Sequence, residues 1–180
     1  MVKRIAITGP ESTGKSELAE KLARHYDTVW VPEYAREYLE KLVRPYDYDD
    51  IAEIARGQLR NEEQVALSAN RILFCDTDMI VTKIWSEFKY GRCDHWILDQ
   101  VANHHYDIYL LCDIDLPWAD DPLREHPGKR KELFEQYFQE LQKRDFPFVV
   151  ISGVGDDRTN NAILAIERTF KINIMKNDGS

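Results

Sequence analysis

The segment Gly9-Pro10-Glu11-Ser12-Thr13-Gly14-Lys15-Ser16 constrains this chain more than any other. It follows Arg4-Ile5-Ala6-Ile7-Thr8, a short β-branched run, and precedes Glu17-Leu18-Ala19-Glu20-Lys21-Leu22-Ala23, a run of good helix formers. Strand, loop, helix is the context in which the spacing G-x-x-x-x-G-K-[ST] makes a phosphate-binding loop. Glycine lets the backbone curl until successive N–H groups converge on one point, close enough to meet phosphate oxygens. The positive end of the following helix dipole points at the same place. Lys15 brings a cation to the β- and γ-phosphates, and the Ser16 hydroxyl can ligate Mg²⁺. The expected nucleotide contacts are therefore Gly9, Glu11, Ser12, Thr13, Gly14, Lys15, Ser16 and Glu17. A glycine-rich turn that binds nothing is the alternative; motif and context together point to a nucleoside triphosphate, with ATP and Mg²⁺ as expected cofactors.

The rest of the chain supplies a sheet for that loop. Apolar or β-branched runs at Ile5–Thr8, Thr28–Val31, Ile72–Cys75, Asp107–Cys112 and Phe148–Ile151 read as five strands. Helical spacing separates them, over 17–25, 33–42, roughly 49–67, 77–88, 94–103, 131–143 and 159–170. Strands alternating with helices predict an α/β fold of the P-loop NTPase type, a five-stranded parallel sheet with helices on both faces. The polar, proline-bearing stretch 117–131 between the fourth and fifth strands reads as a lid. One domain over 1–172 is the economical division, with 173–180 as a frayed tail.

In an open parallel sheet, ligands sit beyond the carboxyl ends of the strands, so the residues there are the ones to weigh. Asp76 closes the third strand and has the form of an acid that holds Mg²⁺ beside the phosphate loop, giving Ser16 and Asp76 as the metal pair. The alternative is that it only caps the next helix. Asp78 stands between binding substrate hydroxyls, or positioning metal-bound water, and favouring a helix dipole. Glu33, after the second strand, is placed to accept a hydroxyl proton near the γ-phosphate, or to serve as a first-turn helix acid. Arg36, one turn on, can touch a phosphate or pair with a carboxylate, and Tyr34 can stack on a ring or belong to the core. In the lid, Arg124 and Arg130 are the preferred phosphate forks and Trp118 a ring wall or lid anchor. Ser152 and Gly153, after the fifth strand, form a plausible adenine edge. The catalytic set is Lys15, Glu33, Asp78, Arg124 and Arg130; the acceptor set is Glu33, Tyr34, Arg36, Asp78 and Trp118.

Charge narrows the partners. A formal net charge of −8 leaves no basic stripe for a nucleic acid or an acidic membrane surface, so a small nucleoside-like molecule is the expected partner. Three cysteines without C-x-x-C spacing read as free thiols, and five histidines offer no zinc spacing. The chain runs directly into a strand with no leader and no membrane-length apolar run, which predicts a cytoplasmic location. Oligomeric state is not legible.

Four segments together resemble a known family. Gly-Pro-Glu-Ser-Thr-Gly-Lys-Ser, Glu33-Tyr34-Ala35-Arg36-Glu37, Asp76-Thr77-Asp78 and Trp118-x-Asp120-Asp121-x-x-Arg124 lie in register along almost the whole chain. They resemble the P-loop kinases, and within them the ribosylnicotinamide kinase domain of bacterial NadR proteins. The first segment is generic to P-loop proteins; the other three are more specific. The resemblance implies ATP-dependent phosphorylation of the ribose 5′-hydroxyl of nicotinamide riboside, giving nicotinamide mononucleotide. It implies Glu33 or an acid of 76–78 at the hydroxyl, and Tyr34 or Trp118 against the pyridinium. NadR proteins also carry a DNA-binding segment and an adenylyltransferase domain. This sequence holds no H-x-G-H motif and no basic helix pair, so neither activity is expected of it. A kinase of another nucleoside or small alcohol, and an ATP-binding regulatory switch, are the alternatives.

Overall fold

In the computed structural model, residues 2–171 are described; the boundary at 172 and the tail expected at 173–180 lie outside them. Five parallel strands, β1 (Lys3–Thr8), β2 (Trp30–Val31), β3 (Ile72–Asp76), β4 (Ile108–Cys112) and β5 (Phe148–Ile151), form one sheet in the order β2-β3-β1-β4-β5. β1 lies at the centre, pairing Ile7 with Asp76 on one side and with Leu110 on the other. The phosphate loop and the end of β3 are thereby neighbours.

Strand alternation sorts the core into two layers. Ile5, Ile7, Phe74 and Leu110 face α1 (Lys15–His25) and α7 (Asp156–Phe170), where Leu18, Leu22 and Ile166 complete the packing. Ala6, Leu73, Cys75, Tyr109 and Leu111 face the other layer. That layer is α3 (Tyr48–Ala66), α4 (Met79–Tyr90), α5 (His95–Asn103) and α6 (Arg130–Lys143). α2 (Tyr34–Lys41) leans on α3 beyond the sheet edge. The central strands are buried on both faces, which is why they read as continuous apolar runs. Among the described residues no helix is long and apolar enough to cross a membrane.

Element ends depart from expectation for local reasons. β2 is two residues long, because the Thr28 hydroxyl, not its backbone, binds the neighbouring strand: it donates to the Ile72 carbonyl at 2.6 Å and accepts from the Asn70 N–H. α4 starts at Met79 because Thr77 takes φ 83° and Asp78 serves as the N-cap. α7 starts three residues early, at Asp156, on a glycine turn at Gly155.

Candidate functional site

The donor loop leaves its polar groups free for an anion. Gly14, in the left-handed region at φ 75°, is the N-cap of α1 and supplies no side-chain cap, so the first N–H groups of the helix are open. The Lys15 ammonium donates to the Pro10 carbonyl at 2.9 Å, and the Thr13 hydroxyl to the same oxygen at 2.8 Å. Gly9 has φ 132°, and a Cβ there would stand 3.0 Å from the Cys112 carbonyl oxygen. Gly9→Ala is therefore expected to lower the unfolding free energy by about 1–3 kcal/mol, read from the denaturant midpoint.

Beneath the loop, the Ser16 hydroxyl donates to Asp76 Oδ2 at 2.5 Å. Asp76 is 1% exposed, and its Oδ1 has no hydrogen-bond partner. Burial first, and then the charge of Glu33, push its carboxyl up to about 6 against the pull of Lys15, Ser16 and Arg36. A hydroxyl beside a carboxylate with an orphaned oxygen is the hard oxygen donor set that suits Mg²⁺. The same orphaned group costs stability in the metal-free chain. Its folded-state value lies above its ordinary 3.8, so its contribution favours folding at low pH and is lost as pH rises through about 6. Metal-free Asp76→Asn is expected to be more stable than the parent at pH 8, the gap closing towards pH 4 in denaturant titrations.

Above the loop lies a cleft of about 750 Å³. Glu33, at the N-cap of α2, and Arg36, one turn on, line its far side with Leu39. Irregular chain from 113 to 129 folds over it. Its Ala119 N–H donates to Ser12 Oγ at 2.8 Å, and the Glu125 and His126 N–H groups donate to the Glu11 carboxylate at 3.2 and 3.0 Å. Arg124 lines the cleft and reaches Ser12 Oγ at 3.4 Å, while Arg130 donates to the Ser12 and Leu116 carbonyls. Arg36 joins Asp121 at 2.9 Å, tying α2 to the same segment.

Besides Asp76 beneath the loop and Arg130, whose guanidinium is spent on the Ser12 and Leu116 carbonyls rather than lining the cleft as expected, four groups of expected contacts stand away from it. Tyr34 is turned onto α3, where its ring fills the space over Gly57: a Cβ there would lie 1.9 Å from Tyr34 Cε1. Asp78 is fully buried and spends its Oδ1 on the Ile80 and Val81 N–H groups, at 2.6 and 3.1 Å. Trp118 does not line the cleft; its indole donates to Asp120, and Arg124 and Arg130 lie about 6 Å over its ring. Ser152 donates to Asp113 and the Gly153 N–H to Asp115, both beside the buried Arg158 guanidinium. Val154, Gly155 and Thr159 line the cleft in their place.

A family model described as an AAA domain matches residues 4–158. The chain belongs to that family. Within it, this AAA domain is similar to the trifunctional NAD biosynthesis/regulator protein NadR of Escherichia coli (strain K12), with 30% identity over 154 residues. The match covers 82% of this chain and 38% of NadR, so the chain spans well under half the length of the curated relatives it matches. A crystal structure of NadR protein in complex with NR superposes with a TM-score of 0.80 at 27% identity, covering 99% of this chain and 54% of that one. A second, of NadR protein in complex with NAD and AMP-PNP, gives 0.77 at 25% identity, with 97% and 51% covered. The P-loop kinase architecture expected from the phosphate loop and from strands alternating with helices is thus the architecture found.

One wall of the AAA domain's cleft escaped the sequence reading. Val81, Ile84, Trp85 and Phe88 of α4 line it, with Leu133 and Tyr137 of α6 and Leu123 and His126 of the lid. The signal was the spacing i, i+3, i+4, i+7, which marks one apolar face of α4.

Proposed function

We propose that this chain transfers the γ-phosphoryl group of ATP to the ribose 5′-hydroxyl of nicotinamide riboside, giving nicotinamide mononucleotide and ADP. The observation that carries the reading is the division of one cleft into two chemically distinct halves. On one side are the open N–H groups of the phosphate loop, Lys15, and the Ser16–Asp76 pair beneath. On the other are Glu33, Arg36 and the aromatic wall of Trp85 and Phe88. A switch that only holds a nucleotide has no use for the second half. An aromatic wall with carboxylates suits a flat pyridinium cation, and the likeness to NadR, solved with NR, supports that acceptor over other nucleosides.

In this reading the phosphate loop cradles the triphosphate, and Lys15 meets the charge that develops between the β- and γ-phosphates. Ser16 and Asp76 would hold Mg²⁺, which when bound neutralises phosphate charge. Glu33 accepts the proton of the attacking 5′-hydroxyl. Arg124, drawn in by the lid, faces the transferring group, and Arg130 fixes the lid to the loop through the Ser12 and Leu116 carbonyls. Folding of the lid over the cleft keeps water from competing with the hydroxyl. Cytoplasmic function follows from the substrates, since ATP and a riboside acceptor meet there.

The test is acceptor choice. ADP release from Mg·ATP is measured with nicotinamide riboside, thymidine, deoxyadenosine and glycerol in parallel. The expected result is acceleration by nicotinamide riboside well above all others. Acceleration by a deoxynucleoside alone selects the alternative kinase, and slow release indifferent to every acceptor selects the switch.

A further inference from the structure

The cleft's aromatic wall is wired to its lid by a residue that lines neither. Tyr46 lies in the turn between α2 and α3, outside the cleft. The Trp85 indole N–H donates to the Tyr46 hydroxyl at 3.0 Å, and the two rings meet edge to face with centroids 5.1 Å apart. The Tyr46 hydroxyl in turn donates to Glu125 Oε2 in the lid. Lys89, one turn beyond Trp85 on α4, bonds the other oxygen of Glu125 at 2.9 Å and sits 3.7 Å over the Tyr46 ring. The backbone N–H of the same Glu125 reaches Glu11 in the phosphate loop. One chain of contacts therefore runs from the acceptor wall through Tyr46 to the lid, and from the lid to the donor loop.

Trp85 packs against the core on one side, and the partner its N–H finds completes the setting of its ring. Here the acceptor for that N–H is a hydroxyl whose own proton is committed to a carboxylate, and that carboxylate belongs to the lid. A hydroxyl that must donate to Glu125 presents its lone pair to Trp85, and a charged acceptor makes the donated bond stronger than a neutral one. Burial and the Glu125 contact hold the Tyr46 hydroxyl protonated, well above its ordinary range, so the donor role does not lapse at any working pH. Burial works against the Glu125 charge, but the Tyr46 and Lys89 contacts outweigh it and hold the carboxyl below its usual range. The direction of each bond is thus fixed by chemistry.

We propose that Tyr46 is a positioning residue that sets the ring of Trp85 in response to the lid, so that the acceptor wall takes its working orientation only when Glu125 is seated. This rests on reading the α4 side of the cleft as the acceptor half. The lid thereby does more than exclude water: seating Glu125 on Glu11 and on Tyr46 makes acceptor recognition depend on a lid docked to the phosphate loop.

Tyr46→Phe tests it, because the ring, its edge contact with Trp85 and the stacked Lys89 all survive while the hydroxyl is lost. With the full chain and whichever acceptor of the panel the parent phosphorylates, the KM for that acceptor should rise about tenfold. The KM for ATP, kcat and the thermal midpoint should stay near the parent's. Glu125→Ala should raise the same KM, and the double variant should be no worse than the single ones, as for groups acting in one chain. A second readout needs no turnover. In a protein whose Trp30, Trp96 and Trp118 are replaced by Phe, acrylamide should quench Trp85 more readily once Tyr46→Phe or Glu125→Ala is added. An unchanged acceptor KM, unchanged quenching, additive losses, or an equal loss in every parameter with a lowered midpoint would each overturn the proposal. Failure of nicotinamide riboside as acceptor, with another acceptor working, would count against the functional reading alone.

Discussion

Lys15→Ala is expected to lower kcat about a thousandfold, the scale on which removing one preorganised charge from a phosphoryl- or acyl-transfer site is felt. Lys15 is the cation that the loop itself supplies, rooted at the first residue of α1 and held by the Pro10 carbonyl at 2.9 Å. That bond keeps the ammonium folded over the loop. Alanine keeps the helix, since it is the better helix former, and leaves the Gly14 cap and the open N–H groups in place. The fold should therefore persist, with an unchanged thermal midpoint, while chemistry fails. Lys15→Arg should recover little, because a planar fork does not fit the space of a compact ammonium. ADP release at saturating acceptor measures the effect. A loss within tenfold would mean that the charge on the transferring group is met elsewhere.

Glu33→Gln is expected to cost about a hundredfold in kcat while the KM for ATP stays near the parent's, the usual scale of a lost general base. Four carboxylates line the cleft, and three are committed. Glu11 accepts two lid N–H groups, Glu17 pairs with Lys21 at 2.9 Å, and Glu125 is held by Tyr46 and Lys89. Among the described residues Glu33 is the one of the four without a hydrogen bond or ion pair. It caps α2 without spending its side chain, and its charge acts on the Asp76 carboxyl. Glutamine preserves size and polarity but cannot take a proton. Single-turnover kinetics with ATP prebound separate chemistry from binding; retention of full kcat would show that the hydroxyl needs no base from this position.

Much of this was legible in the chain because the phosphate loop fixes so much at once. Its spacing placed β1 and α1, and the apolar runs at 72–75 and 108–112 placed the neighbours that flank β1 in the sheet. The place of Asp76 was legible because a carboxylate that closes an apolar strand next to the one leading into that loop must lie beside Ser16. Asp78 was not resolvable. An acid two residues into a strand-to-helix junction reads the same whether it caps or catalyses, and only burial with two N–H donors tells them apart. Tyr34 was misplaced by tertiary context, since nothing local announces that Gly57, one helix away, leaves a hole for its ring. The wall on α4 was hidden for a similar reason. Periodicity shows that Val81, Ile84, Trp85 and Phe88 share a face, but not whether that face meets the core or a cleft. Tyr46 carried no signal at all, because its role exists only through the hydroxyl's two partners in α4 and the lid.

The central claim is a phosphoryl transfer to one particular oxygen. Purified protein is incubated with Mg·ATP and nicotinamide riboside, and the product is resolved by mass and by phosphorus NMR. The account predicts one mole of nicotinamide mononucleotide per mole of ADP, with the new phosphorus coupled to the two 5′-methylene protons of the ribose. Recovery of unmodified nicotinamide riboside while ATP falls to ADP and inorganic phosphate would contradict it.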